Sequence, residues 1–384
     1  MSDPLSSAKR IVVKIGSSLL VHAETGALKR DWLETLAQDV AALREKSREV
    51  ILVSSGAIAL GRSALGLSGK ILKLEESQAA ASVGQVRLAQ AYTEAFAVRG
   101  LAAAQVLLTL DDTEARRRYL NARACLRTLL GLGAIPVINE NDTVATAEIR
   151  FGDNDRLAAR VAAMMEADLL VLLSDVDGLY DCDPQKNAGA KHIADVAAIT
   201  PAMEKMAGDS RSGMGKGGMQ SKLAAAKIAT AAGARVMLAS GHRMHPLSRT
   251  AGGARMTLFR ARGNPAAARK RWIAGGLKAE GVLDIDAGAV RALLSGKSLL
   301  PAGVTAVEGR FERGDAVTLR APDGAEIARG LCAYSAEDAK RIMGRRTVEI
   351  EALLGYRGRD EMIHRDDLAL TVADGTNAAE SGEP

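Results

Sequence analysis

Over the first 240 residues, short uninterrupted apolar runs alternate with longer stretches in which apolar residues recur every three or four positions. Residues 10–15 (RIVVKI), 49–54 (EVILVS), 134–139 (AIPVIN) and 168–174 (DLLVLLS) have the continuous apolar character of strands buried on both faces. Residues 101–108 and 235–239 extend the series. The spacing predicts helices over 32–46, with Leu33, Leu36, Val40 and Leu43 on one face, and over 78–99, 111–130, 155–166 and 218–232. Asp111 and Asp112 offer an N-cap to the helix over 111–130. Such alternation indicates an α/β fold, a three-layer αβα sandwich with a mostly parallel sheet between two helical layers. Ligands of such folds gather at the carboxyl ends of the strands. The polar and glycine-containing segments 16–18, 54–56, 139–142 and 174–178 fall at those ends.

From residue 259 the pattern changes. Residues 259–278 are basic and contain Gly263, Asn264 and Pro265, which reads as a linker. Residues 279–356 show short β-like runs at 281–285, 303–307, 316–320 and 327–332, punctuated by glycine, and predict a small, mainly-β second domain. The expected organisation is therefore a first domain over 1–258, a linker over 259–278, a second domain over 279–356 and a C-terminal tail over 357–384, partly disordered because its last residues are polar and aperiodic.

Composition narrows the picture little until it is divided along the chain. The 384 residues are 47% apolar and 25% charged, the profile of an ordinary globular protein. The net charge of +5 suggests an anionic partner. Residues 278–356 hold 11 basic and 12 acidic residues, so the second domain offers no excess charge for a nucleic-acid backbone, and RNA is not the expected partner. Cys125, Cys182 and Cys332 are odd in number and far apart, which disfavours a disulfide framework or a zinc site. No secretory signal and no apolar run of about 20 residues is visible, so a cytoplasmic protein with no membrane contact is expected.

Four segments carry candidate chemistry. No P-loop is present and no G-x-G-x-x-G follows a strand, so phosphate binding would need another scheme. In VVKIGSS, Lys14 interrupts an apolar strand, a costly position unless the charge is paired or aimed into a site. Gly16, Ser17 and Ser18 follow it and can present backbone N–H groups to an anion. An edge lysine and an ordinary turn would give the same pattern. In SSGAI, Ser55 and Gly56 stand at a strand-to-helix junction that suits a carboxylate or a plain N-cap. The clusters 139–142 (NEND) and 152–155 (GDND) suit an ammonium group and hydroxyls, and also suit turns. In GMGKGGMQSK, glycines precede a helix whose first turns contain Lys222, an arrangement that can reach a transferring phosphoryl group. Together these segments outline phosphoryl transfer by charge neutralisation and positioning, with Lys14 and Lys222 approaching from opposite sides of the sheet.

With these motifs in view, the chain resembles the bacterial glutamate 5-kinases, of the amino acid kinase family with a C-terminal PUA domain. VVKIGSSLL, SSGAIALGR, SVGQVRLAQ, QVLLT, RYLNAR, PVINENDTVAT, FGDNDRLAA, SDVDGLY, GMGKGGMQSKL and RKRWI carry the likeness across nearly the whole chain. The resemblance implies an αβα kinase domain and a PUA-like second domain. It implies ATP-dependent phosphorylation of the γ-carboxylate of L-glutamate to L-glutamyl 5-phosphate, the first step of proline biosynthesis, with Mg²⁺, inhibition by proline and a homo-oligomeric state.

It also implies roles by motif. Lys14, Lys222 and Asp155 are the expected catalytic residues. Lys14, Gly16, Ser174, Asp175 and the loop Lys216, Gly217, Gly218, Met219, Gln220, Ser221 and Lys222 are expected to bind ATP. Ser55, Gly56, Asp142 and Asn154 are expected to hold glutamate, with Mg²⁺ near Asp153 and Asp155. Serine stands at 17, 54 and 174 where threonine is common in the family, and keeps the hydroxyl. Lys216 replaces a frequent threonine and is expected to face solvent. The alternatives are another kinase of this fold, acting on acetylglutamate, aspartate, carbamate or uridylate, and an RNA-binding protein acting through the second domain. Turnover on a substrate panel, and salt-sensitive RNA binding by residues 279–356, would discriminate them.

Overall fold

The computed structural model describes residues 3–144, 153–184, 186–208, 218–275 and 277–371. The chain divides into two compact units, Met1–Pro265 and Ala266–Pro384.

The first unit is built on an eight-stranded sheet. In chain order its elements are β1 (Arg10–Ile15), α1 (Arg30–Glu45), β2 (Glu49–Ser54), α2 (Ala57–Ala64), α3 (Leu74–Ala97), β3 (Ala103–Leu108), α4 (Arg116–Gly131), β4 (Ile135–Glu140), α5 (Asp153–Met164), β5 (Leu169–Ser174), β6 (Asp195–Val196), α6 (Met219–Ala231), β7 (Arg235–Ser240), α7 (Pro246–Ala251) and β8 (Met256–Phe259). The strand order is β3-β4-β2-β1-β5-β7-β8-β6. All neighbours run parallel except β7 and β8, which are antiparallel.

Strand periodicity sorts the core into two layers. Ile11, Val13 and Ile15 of β1 point to one face, with Val50, Leu52, Val171 and Leu173, and bury Trp32, Leu36 and Val40 of α1 and Leu88, Tyr92 and Phe96 of α3. Val12, Ile51, Val53, Leu170 and Leu172 point the other way and meet Leu126 of α4, Leu157 and Val161 of α5 and Leu223 and Ala226 of α6. This is the expected three-layer sandwich. Continuous apolar strands make it: each alternate residue finds its own helical layer.

Helix ends differ from the periodicity in one instructive place. Residues 111–130 form two helices, not one: Leu110–Glu114, then α4 from Arg116. The cap is Thr109, not Asp111 or Asp112. The Thr109 side chain accepts from the Asp112 N–H, and the Asp112 carboxylate accepts from the Thr109 N–H. Asp112 thus works as the third residue of a capping box. Ala115 is extended and interrupts the run.

Helices α2 and α3 touch through glycines. A Cβ at Gly61 would lie 1.7 Å from the Ala80 carbonyl oxygen, and one at Gly84 would lie 1.7 Å from the Ala57 carbonyl oxygen. Only glycine permits this backbone contact, which pins α3 against the start of α2.

The second unit holds a five-stranded sheet of β9 (Gly281–Ile285), β10 (Val304–Gly309), β11 (Ala316–Arg320), β12 (Glu326–Leu331) and β13 (Leu368–Leu370), in the order β10-β9-β11-β12-β13. Only β9 and β11 pair in parallel. Leu283, Ile285, Val317, Leu319, Phe311 and Ile363 form its core. Within the basic stretch 259–278, residues Pro265–Gly275 are helical. Arg269 of that helix is buried, with its guanidinium 2.5 Å from Asp367. Among the described residues no helix is long and apolar enough to cross a membrane.

Replacing Gly84 by Ala is expected to lower the thermal midpoint, since overpacking a tight contact costs about 1–3 kcal/mol. Gly131→Ala is the control: a Cβ there meets nothing within 4 Å, and alanine favours the helix. Parallel melts should show a fall for the first and no fall for the second; equal midpoints would discount the glycine contact.

Candidate active site

The site assembles where β1, β2, β4 and β5 end. Register places Ile15 beside Ser54 on one side and Leu173 on the other, so the residues that follow these strands emerge together. Parallel strands make this unavoidable: their carboxyl ends share one edge of the sheet.

Lys14 is 8% exposed. By the period of two it shares the face of Val12, and so points toward the layer of α5 and α6. Its Nζ lies 2.6 Å from Asp155 Oδ1. Asp155 stands in the first turn of α5 and is 1% exposed, and the helix N-terminus favours its negative charge. Its other oxygen, Oδ2, accepts from the Ser221 hydroxyl at 2.5 Å and lies 4.0 Å from Lys222 Nζ. Ser221 and Lys222 are in the first turn of α6. The two lysines therefore meet on the same face of the sheet. The expectation of opposite sides is corrected by strand alternation, which turns Lys14 toward the layer that supplies Lys222.

Burial lowers the Lys222 pKa below the ordinary lysine value; Asp155 works against that shift, the Lys14 charge adds to it, and Asp175 again opposes it. Asp175 follows β5. Burial alone would raise its carboxyl, but the Ser174 hydroxyl donating at 2.7 Å and the Lys222 charge hold it below the usual range.

Gly16 follows β1 with φ −73°, a value open to any residue. A Cβ there would find Lys14 Nζ, the Leu173 carbonyl and the Ser18 hydroxyl no closer than 3.9 Å. Neither the backbone conformation nor packing requires glycine here.

A second cluster, mostly of uncharged side chains, adjoins the lysines. Gly56 has φ +112°, a conformation that favours glycine, and turns the chain from β2 into α2. The Asn154 amide Nδ2 donates to Ser55 Oγ at 2.8 Å and to Asn139 Oδ1 at 3.0 Å, and lies 3.3 Å from the Ser54 carbonyl. Asn154 Oδ1 is buried and has no hydrogen-bond partner among the described residues. Asp142, also buried, lies just past the end of β4. Asn154 and Asp155 are consecutive, so one turn of α5 aims an amide into one cluster and a carboxylate into the other.

The structure thus brings together Lys14, Asp155, Ser221 and Lys222, and separately Ser55 and Asn154, with Asp175 near Lys222. Gly218 caps α6, and Met219 and Gln220 are its first two residues. Lys216 and Gly217 lie outside the described residues, and of Asp153 only its place at the start of α5 is described. Two participants escaped the motif search. Gln85 of α3 accepts from Asn139 Nδ2 at 2.7 Å, and Tyr92 of α3 donates from its hydroxyl to Ser54 Oγ at 2.9 Å. Both sit inside an alanine-rich helix, where a glutamine and a tyrosine look like surface and core. Their seven-residue spacing, two turns on one face, was the available signal.

Comparison with known proteins identifies the family. Residues 9–240 match the Amino acid kinase family, and residues 281–354 match the PUA domain. A glutamate 5-kinase of Paramagnetospirillum magneticum is 59% identical over 368 residues, covering 96% of this chain and 99% of that protein. Relatives with the same name from a Ruegeria species and from Brucella ovis are 57% and 58% identical, over 95% and 99% of this chain and 99% and 100% of their own lengths. With a match over most of the first unit and these near full-length relatives, the chain belongs to the amino acid kinase family.

Proposed function

We propose that this protein transfers the γ-phosphoryl group of ATP to the γ-carboxylate of L-glutamate, giving ADP and L-glutamyl 5-phosphate. The observation that carries the proposal is the pair Asn154–Asp155: a buried acceptor, unpartnered among the described residues and suited to an ammonium group, stands beside a carboxylate that gathers two lysines. The relatives' name, glutamate 5-kinase, supports it.

The attacking carboxylate has an ordinary pKa near 4.3 and is ionised at neutral pH, so no general base is needed. The difficulty is bringing one anion to another. Lys14 and Lys222, desolvated in a shared site, meet the charge that develops on the phosphoryl oxygens. Asp155 aims both lysines. Ser55, Gly56, Asp142 and Asn154 hold the amino acid, and Gly16, Ser174, Asp175 and the loop 216–222 hold the nucleotide. Members of this family use ATP with a divalent metal. Among the described residues no group of three or more His, Cys, Asp or Glu side chains could hold one alone. We therefore assign Mg²⁺ to the ATP phosphates and water, a mode that needs few protein carboxylates, with Asp153 the nearest further carboxylate in sequence. Bound there, it neutralises phosphate charge. By the same proposal, the enzyme acts in the cytoplasm as a homo-oligomer at the first step of proline biosynthesis. Proline, which shares the amino acid backbone groups of glutamate, competes for the Ser55–Asn154 cluster.

The test is ADP release with L-glutamate, N-acetylglutamate, aspartate and UMP; faster turnover on any of the last three would refute the substrate. Lys222→Ala is expected to lower kcat at least ~100-fold, the scale of removing one preorganised charge from a transition state, with little change in the KM for glutamate. The depressed Lys222 pKa sets a further expectation. The charged form is active, so kcat/KM for ATP should fall as pH rises, with a midpoint below the ordinary lysine value of about 10.4. Lys222→Arg should move that limb upward; an unmoved limb would assign it to another group. Asp155→Asn leaves two buried cations facing each other. It should lower unfolding stability by roughly 3 kcal/mol, and pyrophosphate should restore part of the loss in a thermal melt.

A further inference from the structure

The polarity of the second cluster can be followed atom by atom. The Glu140 backbone N–H can only donate, and it points at Asn139 Oδ1 from 2.9 Å. That contact identifies the oxygen of the Asn139 amide. The other end of the same amide is then Nδ2, which must donate, and it meets Gln85 Oε1 at 2.7 Å. Asn139 Oδ1 also receives Asn154 Nδ2 at 3.0 Å. The Asn154 amide is thereby oriented too, with its oxygen turned away, buried and without a partner among the described residues.

Gln85 closes this relay from outside the site. Its neighbour Gly84 is pressed against the Ala57 backbone, two residues after Ser55, so α3 cannot shift at this level. Asn139 is 3% exposed, which makes an unsatisfied Nδ2 costly. Without an acceptor at Gln85, the cheapest response of Asn139 is to tilt its amide toward another partner, and Asn154 moves with it.

We infer that Gln85 is a positioning residue for the amino acid substrate, acting through Asn139 to hold the Asn154 oxygen where the substrate ammonium binds. The inference rests on the proposed glutamate site and concerns binding, not the transfer step. Lys14 and Lys222 gather at Asp155, and none of the three makes a hydrogen bond of the relay.

Gln85→Leu removes the acceptor and should raise the KM for L-glutamate about tenfold, the effect of one lost buried hydrogen bond. kcat and the KM for ATP should stay within about twofold, since neither depends on this relay. Gln85→Glu keeps an oxygen acceptor for Asn139 Nδ2 and should keep a near-wild-type KM. Gln85→Met, similar in length to glutamine, should match Leu if the acceptor is what matters. Thermal melts of the full chain add a readout independent of turnover: L-glutamate should stabilise the wild type and the Glu variant, and shift the Leu and Met variants much less. An unchanged KM in the Leu and Met variants, a Glu variant as impaired as they are, or an equal loss in kcat would overturn the positioning role. A wild-type protein that does not turn over or bind L-glutamate would instead overturn the substrate assignment, and the inference with it.

Discussion

Asp155 is the one charge on which the site depends. Two lysines buried near each other repel, and each loses the hydration that stabilises it in water. A carboxylate between them, 2.6 Å from one and 4.0 Å from the other, lets both remain in place. The Ser221 hydroxyl occupies the same oxygen that faces Lys222, so the carboxylate is held by two helices and a strand. The arrangement is strained by design of its charges: burial and Lys14 both depress the Lys222 pKa, against Asp155 and Asp175.

The sheet supplies what Asp155 needs. Parallel strands end along one edge, and the period of two sends Lys14 into the layer that contains α5 and α6. A one-residue slip of β1 would bury Lys14 against α1 and α3 and place an apolar residue at the site. The register of β1 between β2 and β5 is therefore also the register of the lysine.

Much of this was legible in the sequence. Continuous apolar strands separated by amphipathic stretches predicted the layers, because each face of a doubly covered strand must be apolar. Lys14 was visible as a charge inside such a strand, and Lys222 as a charge one turn beyond a glycine loop. The facing of Lys14 toward Lys222 was less visible, since a motif states which residues end a strand but not which layer they address. Thr109 was missed as a cap because Asp111 and Asp112 offered the same chemistry two residues later, and only the backbone at Ala115 shows where the turn closes. Gln85 and Tyr92 were missed because their partners, Asn139 and Ser54, lie 54 and 38 residues away; their own seven-residue spacing puts them on one helix face without saying what that face meets.

The two halves of the site solve opposite electrostatic problems with opposite means. Phosphate carries dense negative charge, and the proposed site for it presents two buried lysines gathered by one carboxylate. An amino acid carries an ammonium group beside a carboxylate, and the proposed site for it combines neutral amides with the buried Asp142 carboxylate. The amides carry no charge to compete with Asp155 for the lysines. Their dipoles must then be oriented by something that cannot reverse, and a backbone N–H is such a group. From Glu140 through Asn139 to Asn154, a backbone donor orients the chain of amides, with Gln85 accepting at its far end. Placing Asn154 and Asp155 side by side on α5 keeps the neutral and the charged recognition rigidly spaced, which transfer between two bound anions requires.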